Sequence, residues 1–396
     1  MSSQQIRLAT RGSDLALRQA NEVVDTLEDR RHDVELVEVE TEGDRVTDAL
    51  ISDLGRTGAF VRALDQEVME GTVDAAVHSM KDVPTEVPED LVVAAVPHRK
   101  NPADVLVTPD GTDLEDLPAG SVVGTASLRR GAQVQAHRPG LDVEPIRGNV
   151  GTRVEKLLAP ALHREHERRT EAEKEAQSRD AREQRRGDYT ADIEAGVENL
   201  DTEDGEEGAA DDGDDTASSS EFEQSVTEWF DSLTPLQQSA MERDPDTEYD
   251  ALVMARVGLE RTGLLHHVGI EELSTGTHVP ATGQGALCVT ACRDSDVVDT
   301  LRDALEHVRT RVEVTAERVV LEELGGGCIA PIGVHALVQG DTIRTAVQVF
   351  SQDGSEQVGE TRELDAEQYA TDARELAADL RDRGAADLIE DARTEA

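Results

Sequence analysis

The chain has 396 residues, enough for two or three domains with real cores, and sets 39 Lys+Arg against 85 Asp+Glu for a formal net charge of -46. That balance excludes nonspecific binding to nucleic acid or anionic membrane, which needs basic surface, and no apolar run approaches the roughly 20 residues of a membrane span. Met1 to Arg11 shows no signal peptide and Cys288, Cys292 and Cys328 form no disulfide framework, so the cytoplasm is the expected compartment. Lys81, Lys100, Lys156 and Lys174 are the only lysines, and aromatics make up 2%. The core must therefore be built from Ala, Val, Leu and Ile. An acidic, lysine-poor surface suits concentrated salt, where the Debye length falls to roughly 3 Å at 1 M and self-repulsion is suppressed.

The first 150 residues alternate strand and helix. Ile6 and Leu8 point one way on a first strand, and Ala16, Ala20, Val23, Val24 and Leu27 mark a helix face. Glu35 to Val39 reads as strand; Phe60, Leu64 and Val68 mark the next helix face. Short apolar strands follow at Asp74 to Val77, Leu91 to Val96 and Asp104 to Val107. Val122 and Val123 lead into a helix from Ser127 to His137, and a strand follows near Val143 to Ile146. Such alternation predicts α/β sheets with ligand sites at strand ends.

From about Pro160 the character changes. Arg164 to Gly187 mixes Arg and Glu with no apolar stripe, which fits a solvated helix or a disordered segment. Tyr189 to Ser220 is rich in Asp and Glu and cannot bury enough to order itself. Phe222, Val226, Trp229, Phe230 and Leu233 then return at helical spacing, as expected of a helix docking on a neighbouring domain. Globular sequence resumes with a buried-strand pattern at Tyr249 to Met254, so residues 160–247 read as an insertion. A helix through Val312, Val319, Val320 and Leu324 ends at Gly325-Gly326-Gly327; alternating residues follow from Ile343 to Phe350, then a helix from Ala366 to Arg383. That last stretch reads as a separate α+β unit.

Chemistry concentrates at a few turns. Val77 to Pro84 ends a strand in Lys81-Asp82, a solvated ion pair or a ligand site at a strand's carboxyl end. Arg11-Gly12-Ser13, Thr125 to Arg130 and Arg147 to Arg153 each carry arginine where a strand feeds a helix, with Ser127 as an N-cap. Helix N-termini bind anions and arginine adds a planar fork for carboxylates, so these turns with Arg62 predict a cleft for a multi-carboxylate ligand. Phosphate competes, but neither a Walker GxxxxGK[ST] nor GxGxxG is present. Cys288 and Cys292 lie in an apolar segment and read as packing residues, not metal ligands; no metal site is expected. Cys328, set among Gly325, Gly326, Gly327 and Pro331, sits on an irregular loop as either a covalent attachment point or an inert thiol.

The segments LATRGSDLAL, HSMKDVP, GTASLRRGAQ, IRGNVGTR, TGQGAL and LGGGCIAPIG, in this order, resemble the hydroxymethylbilane synthase (porphobilinogen deaminase) family over nearly the whole chain except the insertion. The resemblance implies an α/β fold of two lobes similar to periplasmic binding proteins plus a smaller α+β C-terminal domain. Domain 1 would be residues 1–99 and 285–304, domain 2 residues 103–279 with the insertion, and domain 3 residues 307–396. It implies condensation of four porphobilinogen molecules head to tail, with release of ammonia, on a dipyrromethane cofactor held by a thioether to Cys328, and then hydrolysis of the product. Asp82 is implied as the catalytic acid group. Arg11, Arg129, Arg130, Arg147 and Arg153 match positions that bind pyrrole carboxylates or the cofactor, and Ser13, Arg62, Lys81, Thr125, Ser127, Gly148, Arg261 and Gln284 would complete the lining. A monomer is the family expectation.

Two departures stand out. The family commonly has a lysine in the loop that reads here as Gly55-Arg56-Thr57-Gly58, and Arg62 replaces another frequent lysine. Two other classes are open to cheap tests. A non-catalytic two-lobed anion-binding module would show no adduct on Cys328 by intact mass, and a pyridoxal phosphate enzyme using Lys81 would be yellow and reducible by borohydride at that lysine.

Overall fold

A computed structural model describes residues 5–39, 57–85, 88–197, 222–244, 247–325 and 330–395, with the backbone alone over 57–62, 183, 186–197 and 395. The Gly55-Arg56 part of the loop Gly55-Arg56-Thr57-Gly58, the acidic tract 198–221 and Cys328 lie outside the described residues, as does the side chain of Arg62. By internal contacts the chain divides into two compact units, one of residues 1–157 with 247–396 and one of residues 158–246.

In chain order the first unit begins β1 (Ile6–Arg11), α1 (Asp14–Asp29), β2 (Val34–Val39), α2 (Thr57–Glu70), β3 (Ala75–Ser79), β4 (Leu91–Ala95), β5 (Asp104–Thr108), β6 (Val122–Thr125), α3 (Leu128–His137) and β7 (Asp142–Pro145). The long α4 (Val150–Val197) leads into α5 (Val226–Ser232) and α6 (Pro235–Met241). The chain continues with β8 (Ala251–Ala255), α7 (Arg256–Thr262), β9 (Gly269–Glu272), β10 (Leu287–Cys292) and α8 (Val297–Leu305). It closes with α9 (Val308–Leu324), β11 (Ile332–Gln339), β12 (Thr342–Phe350), β13 (Gln357–Asp365), α10 (Tyr369–Leu380) and α11 (Ala386–Glu395).

Two five-stranded sheets share one pattern. The first runs β2-β1-β3-β10-β4 and the second β7-β6-β8-β5-β9. In each, three parallel strands are followed by an antiparallel fourth that arrives by a long connection: β10 between β3 and β4, and β5 between β8 and β9. Strands covered on both faces read as continuous apolar runs. Leu8 of β1 packs with Ala20, Val23 and Leu27 of α1, while neighbouring Ala9 packs with Leu64 and Val68 of α2 on the opposite face. Ser13 caps α1 by accepting from the Ala16 amide at 3.3 Å.

The cysteine-bearing apolar segment is β10. Cys288 is fully buried there, and burial pushes its thiol up to about 12, so it behaves as a packing residue. The two connections between the sheets, 96–103 and 273–286, run side by side: the Lys100 amide donates to the Gly285 carbonyl, and a Cβ on Gly285 would lie 2.5 Å from the Lys100 oxygen. Arg99 ties them to α9 with Nε on the Gln284 carbonyl at 2.7 Å and Nη1 on Glu317 Oε1 at 2.6 Å.

The third sheet is an antiparallel meander, β11-β12-β13, packed under α9, α10 and α11. Gly325 at φ 71 ends α9 as the glycine run predicts. The single helix expected over Ala366 to Arg383 is instead α10, a wider turn at Arg381–Ala385 and α11. Gly384 takes φ 108, which a side-chain-bearing residue resists, and Leu388, Ile389 and Ala392 continue the apolar face beyond it.

The second unit resolves the reading of 164–187 in favour of helix. α4 carries Pro160 and is braced by pairs such as Glu165–Arg169 at 2.7 Å. The expected aromatic helix is α5, opened by a Ser225–Glu228 capping box. Its Trp229 is 7% exposed and packs on α4, with the Arg169 guanidinium 5.3 Å from its ring centre and the His166 ring 6.1 Å away.

Candidate active site

The turn after β3 is held from three sides. Met80–Asp82 makes one 3-10 turn, and the Met80 amide donates to the Ala286 carbonyl at 3.0 Å. A Cβ on Gly283 (φ +69) would lie 2.8 Å from Met80 Cγ, so only glycine lets the second connection press this closely. From α9, Arg318 donates to the carbonyls of Val83 at 2.8 Å and Pro84 at 2.6 Å. A strand, a connection and a helix thus fix the backbone that carries Lys81 and Asp82.

Both side chains line a cavity of about 990 Å³ shared with Thr125, Ser127, Arg129, Arg130, Arg153, Gln284, Ala330 and Ile332. A smaller hollow of about 520 Å³ beside β12 and β13 has its cation Arg383 already paired to Glu360 at 2.6 Å. The larger cavity is therefore the site.

Lys81, Arg129, Arg130 and Arg153 line it together with Asp82, Glu144 and Asp353, and Asp104 is buried against the two adjacent arginines. The charge of Asp82 supports the Lys81 ammonium, but desolvation and the charges of Arg130 and Arg153 outweigh it and lower its pKa. Lys81 is open to cleft water yet surrounded at depth by protein, and both facts hold for a residue lining a deep recess. Burial, then Arg130, brings Arg153 down to about 10, still cationic at neutral pH. Arg129 and Arg130 share Asp104: Arg129 Nη1 meets Oδ2 at 2.8 Å and Arg130 Nε meets Oδ1 at 2.9 Å. Burial alone would raise the Asp104 pKa, but the two guanidiniums hold it down to about 2.

Ser127 occupies the N-cap position of α3, but its side chain makes no cap bond, which leaves the hydroxyl to the cavity. Thr125 donates to the Val253 carbonyl at 3.1 Å. Other expected residues lie elsewhere among the described residues. Arg11 and Ser13 stand at the start of α1, and Arg147 and Gly148 precede α4, where the Gly148 carbonyl accepts from Arg153 Nε at 2.8 Å. None of these four is in the cavity lining. Arg261 also lies outside it; its guanidinium is buried against Glu22 of α1, with Nε 3.2 Å from Oε1, and so joins α7 to α1.

Asp104 escaped the sequence reading because a strand-initial Asp beside apolar residues looks like an edge position; the signal was the pair of adjacent arginines, which need a counter-ion if buried. Thr282, Gln135, Gln352 and Asp353 also line the cavity and were not foreseen.

Nearby His278 is 4% exposed, and burial followed by the His137 charge lowers its pKa to about 4. Its folded pKa lies below the unfolded value of about 6.5, so the neutral ring favours folding above pH 6.5 and that contribution is lost as pH falls toward 4. Melting temperature measured across pH 4 to 7 is expected to fall less steeply in His278→Gln than in the parent; parallel curves would contradict this.

Family comparison matches residues 6–164 and 234–300 to "Porphobilinogen deaminase, dipyromethane cofactor binding domain" and residues 311–383 to "Porphobilinogen deaminase, C-terminal domain". A probable porphobilinogen deaminase of Halobacterium salinarum is 99% identical over 396 residues, covering 100% of both chains. One of Methanopyrus kandleri is 35% identical over 89% of this chain and 90% of its own, and the porphobilinogen deaminase of Listeria welshimeri is 32% identical over 98% of each. With both family domains matched, the cavity's cations all within the first of them, and a relative spanning the full length, this chain belongs to the porphobilinogen deaminase family.

Proposed function

We propose that this chain joins four porphobilinogen molecules head to tail on a dipyrromethane tethered through a thioether to Cys328, releases ammonia at each addition, and frees hydroxymethylbilane by hydrolysis. The observation that carries the reading is the shared cavity: Asp82, Lys81 and three arginines open into one space with Ala330 and Ile332. In the sequence Cys328 stands two positions before Ala330.

The residues fit such a group. Dipyrromethane bears carboxylates, and Arg129, Arg130, Arg153 and Lys81 would hold them; among the described residues Arg129 Nε is buried with no partner, a donor awaiting an acceptor. Once bound, the cofactor would supply the nucleophilic pyrrole carbon for the first addition, and the terminal pyrrole of the growing chain serves the later ones. Asp82 then does what a fixed carboxylate can. It accepts the pyrrole N–H of the incoming substrate, stabilises the cationic azafulvene left by ammonia, and takes the proton lost when the new linkage becomes aromatic. Lys81 beside it donates to substrate carboxylates. Val83, Pro84, Leu128, Leu321 and Ile332 supply apolar walls for ring faces, which keeps water from the reactive carbon. A volume near the top of the usual ligand range, roughly 300–1,000 Å³, leaves room for more than one pyrrole.

The three sheets support a division into two α/β lobes and a C-terminal domain. We place the enzyme in the cytoplasm as a monomer. The insertion takes no part in the chemistry: deletion of residues 164–220 is expected to leave porphobilinogen consumption in molar salt within about threefold. A folded, cofactor-loaded deletion variant without turnover would contradict that. The reading itself is tested by ammonia release, expected at four per bilane; consumption without ammonia would overturn it.

A further inference from the structure

Adjacent arginines on one helix turn look interchangeable, yet their hydrogen bonds are not. A guanidinium has five N–H donors, and its Nε–Nη2 edge is the two-point fork that matches a carboxylate. In Arg129 the opposite corner is saturated: Nη1 faces Asp104 Oδ2 at 2.8 Å, Gln133 Oε1 at 2.9 Å and the Val279 carbonyl at 2.8 Å. Its fork edge is nearly empty among the described residues, with Nη2 only within 3.4 Å of Gln284 Oε1 and Nε buried without a partner. In Arg130 the same edge is occupied, Nε by Asp104 Oδ1 at 2.9 Å and Nη2 by Gln284 Oε1 at 3.0 Å. Asp104, with Gln284 beside it, makes this difference. Asp104 is fully buried, and its Oδ1 also accepts from Gln284 Nε2 at 2.8 Å, so it cannot turn to favour the other arginine.

We infer that Asp104 is a positioning residue that divides labour between the two arginines: it holds Arg129 by one corner so that its Nε–Nη2 edge grips a pyrrole carboxylate at two points, and with Gln284 it ties up the corresponding edge of Arg130. The inference rests on the proposed reaction and deepens it. An orphaned buried donor is costly, and an arriving carboxylate removes that cost at Arg129. Removing the Asp104 charge leaves two buried guanidiniums that repel each other, and Arg129 then loses its fixed orientation. Molar salt does not rescue the geometry, because screening acts on separated charges and not on direct hydrogen bonds within a buried cluster.

The test compares Arg129→Lys, Asp104→Asn and the double variant with the parent, all purified in molar salt. Each is checked for fold by circular dichroism, for cofactor mass on the chain, and for KM and kcat with porphobilinogen. Each single variant is expected either to raise KM about tenfold with kcat within threefold, if the fork holds the incoming substrate, or to lower the fraction carrying the cofactor, if it holds the primer. The double variant is expected to be no worse than about twice the poorer single one, since both changes remove the same grip. Multiplied effects, or a folded Asp104→Asn with parental KM and loading, overturn the inference. Should Asp104→Asn fail to fold, Gln133→Met removes one clamp on Arg129 Nη1 and leaves both charges in place; a rise of about threefold in KM or a matching fall in loading supports the inference, and no change in either overturns it. Ammonia release at four per bilane in these variants would keep the proposed reaction standing whichever way the inference falls.

Discussion

Asp82→Asn is expected to lower turnover by about 10²–10⁴-fold, the span a positioned general acid–base group contributes, with the fold and the cofactor mass unchanged. Asn keeps the shape and one acceptor oxygen but cannot balance a cation or hold a proton. The backbone around it is fixed independently of the carboxylate, through Arg318 on the Val83 and Pro84 carbonyls and Met80 on Ala286, so the substitution leaves the turn in place. The neighbouring ammonium responds as well: Asp82 is the largest influence supporting the Lys81 charge, so its loss lowers the Lys81 pKa further. Activity in Asp82→Asn is therefore expected to decline at lower pH than in the parent on the alkaline limb. Steady-state rates across pH 6 to 10 check both points, and parental rates would contradict the role given to Asp82.

Cys328→Ser is expected to abolish turnover to the limit of detection. A serine hydroxyl lacks the nucleophilicity of a thiolate, so no thioether forms and nothing tethers the growing chain. Neither other cysteine can substitute. Cys288 is buried in β10 with its thiol pushed up to about 12, and Cys292 packs with Sγ donating to the Val68 carbonyl at 3.3 Å. Intact mass separates the possibilities: parental protein carries the added mass of two pyrrole units, and the serine variant carries none. A serine variant with both the added mass and activity would place the attachment elsewhere.

Much of the fold could be read from local pattern because this chain builds its core from small aliphatics with regular spacing. Ala20, Val23 and Leu27 on one helix face, and Leu8 against Ala9 on opposite faces of a strand, are direct imprints of periodicity. What escaped the reading depends on distant partners. β10 looks like any apolar segment until it is inserted antiparallel between β3 and β4. β13 alternates weakly because its outer face is polar, and the helix break at Gly384 needs the core beyond it to be seen.

The site divides in the same way. Lys81, Asp82, Thr125, Ser127, Arg129, Arg130, Arg153 and Gln284 announced themselves through cationic turns and motifs and do meet in one cavity. Arg261 carries the same charge but is consumed by Glu22, 239 positions away in the chain, a pairing that no local pattern contains. Asp104 of β5 reaches Arg129 and Arg130 of α3 in the same way.

The most direct trial is intact-mass spectrometry of the parental protein in molar salt after mixing with less than four equivalents of porphobilinogen. A stepwise series is expected, each step heavier by one porphobilinogen less one ammonia and each located by peptide mapping to the residue-328 thiol. A chain whose mass stays fixed while substrate disappears, or whose added mass maps to any other residue, would contradict growth of a tethered oligopyrrole beside Asp82.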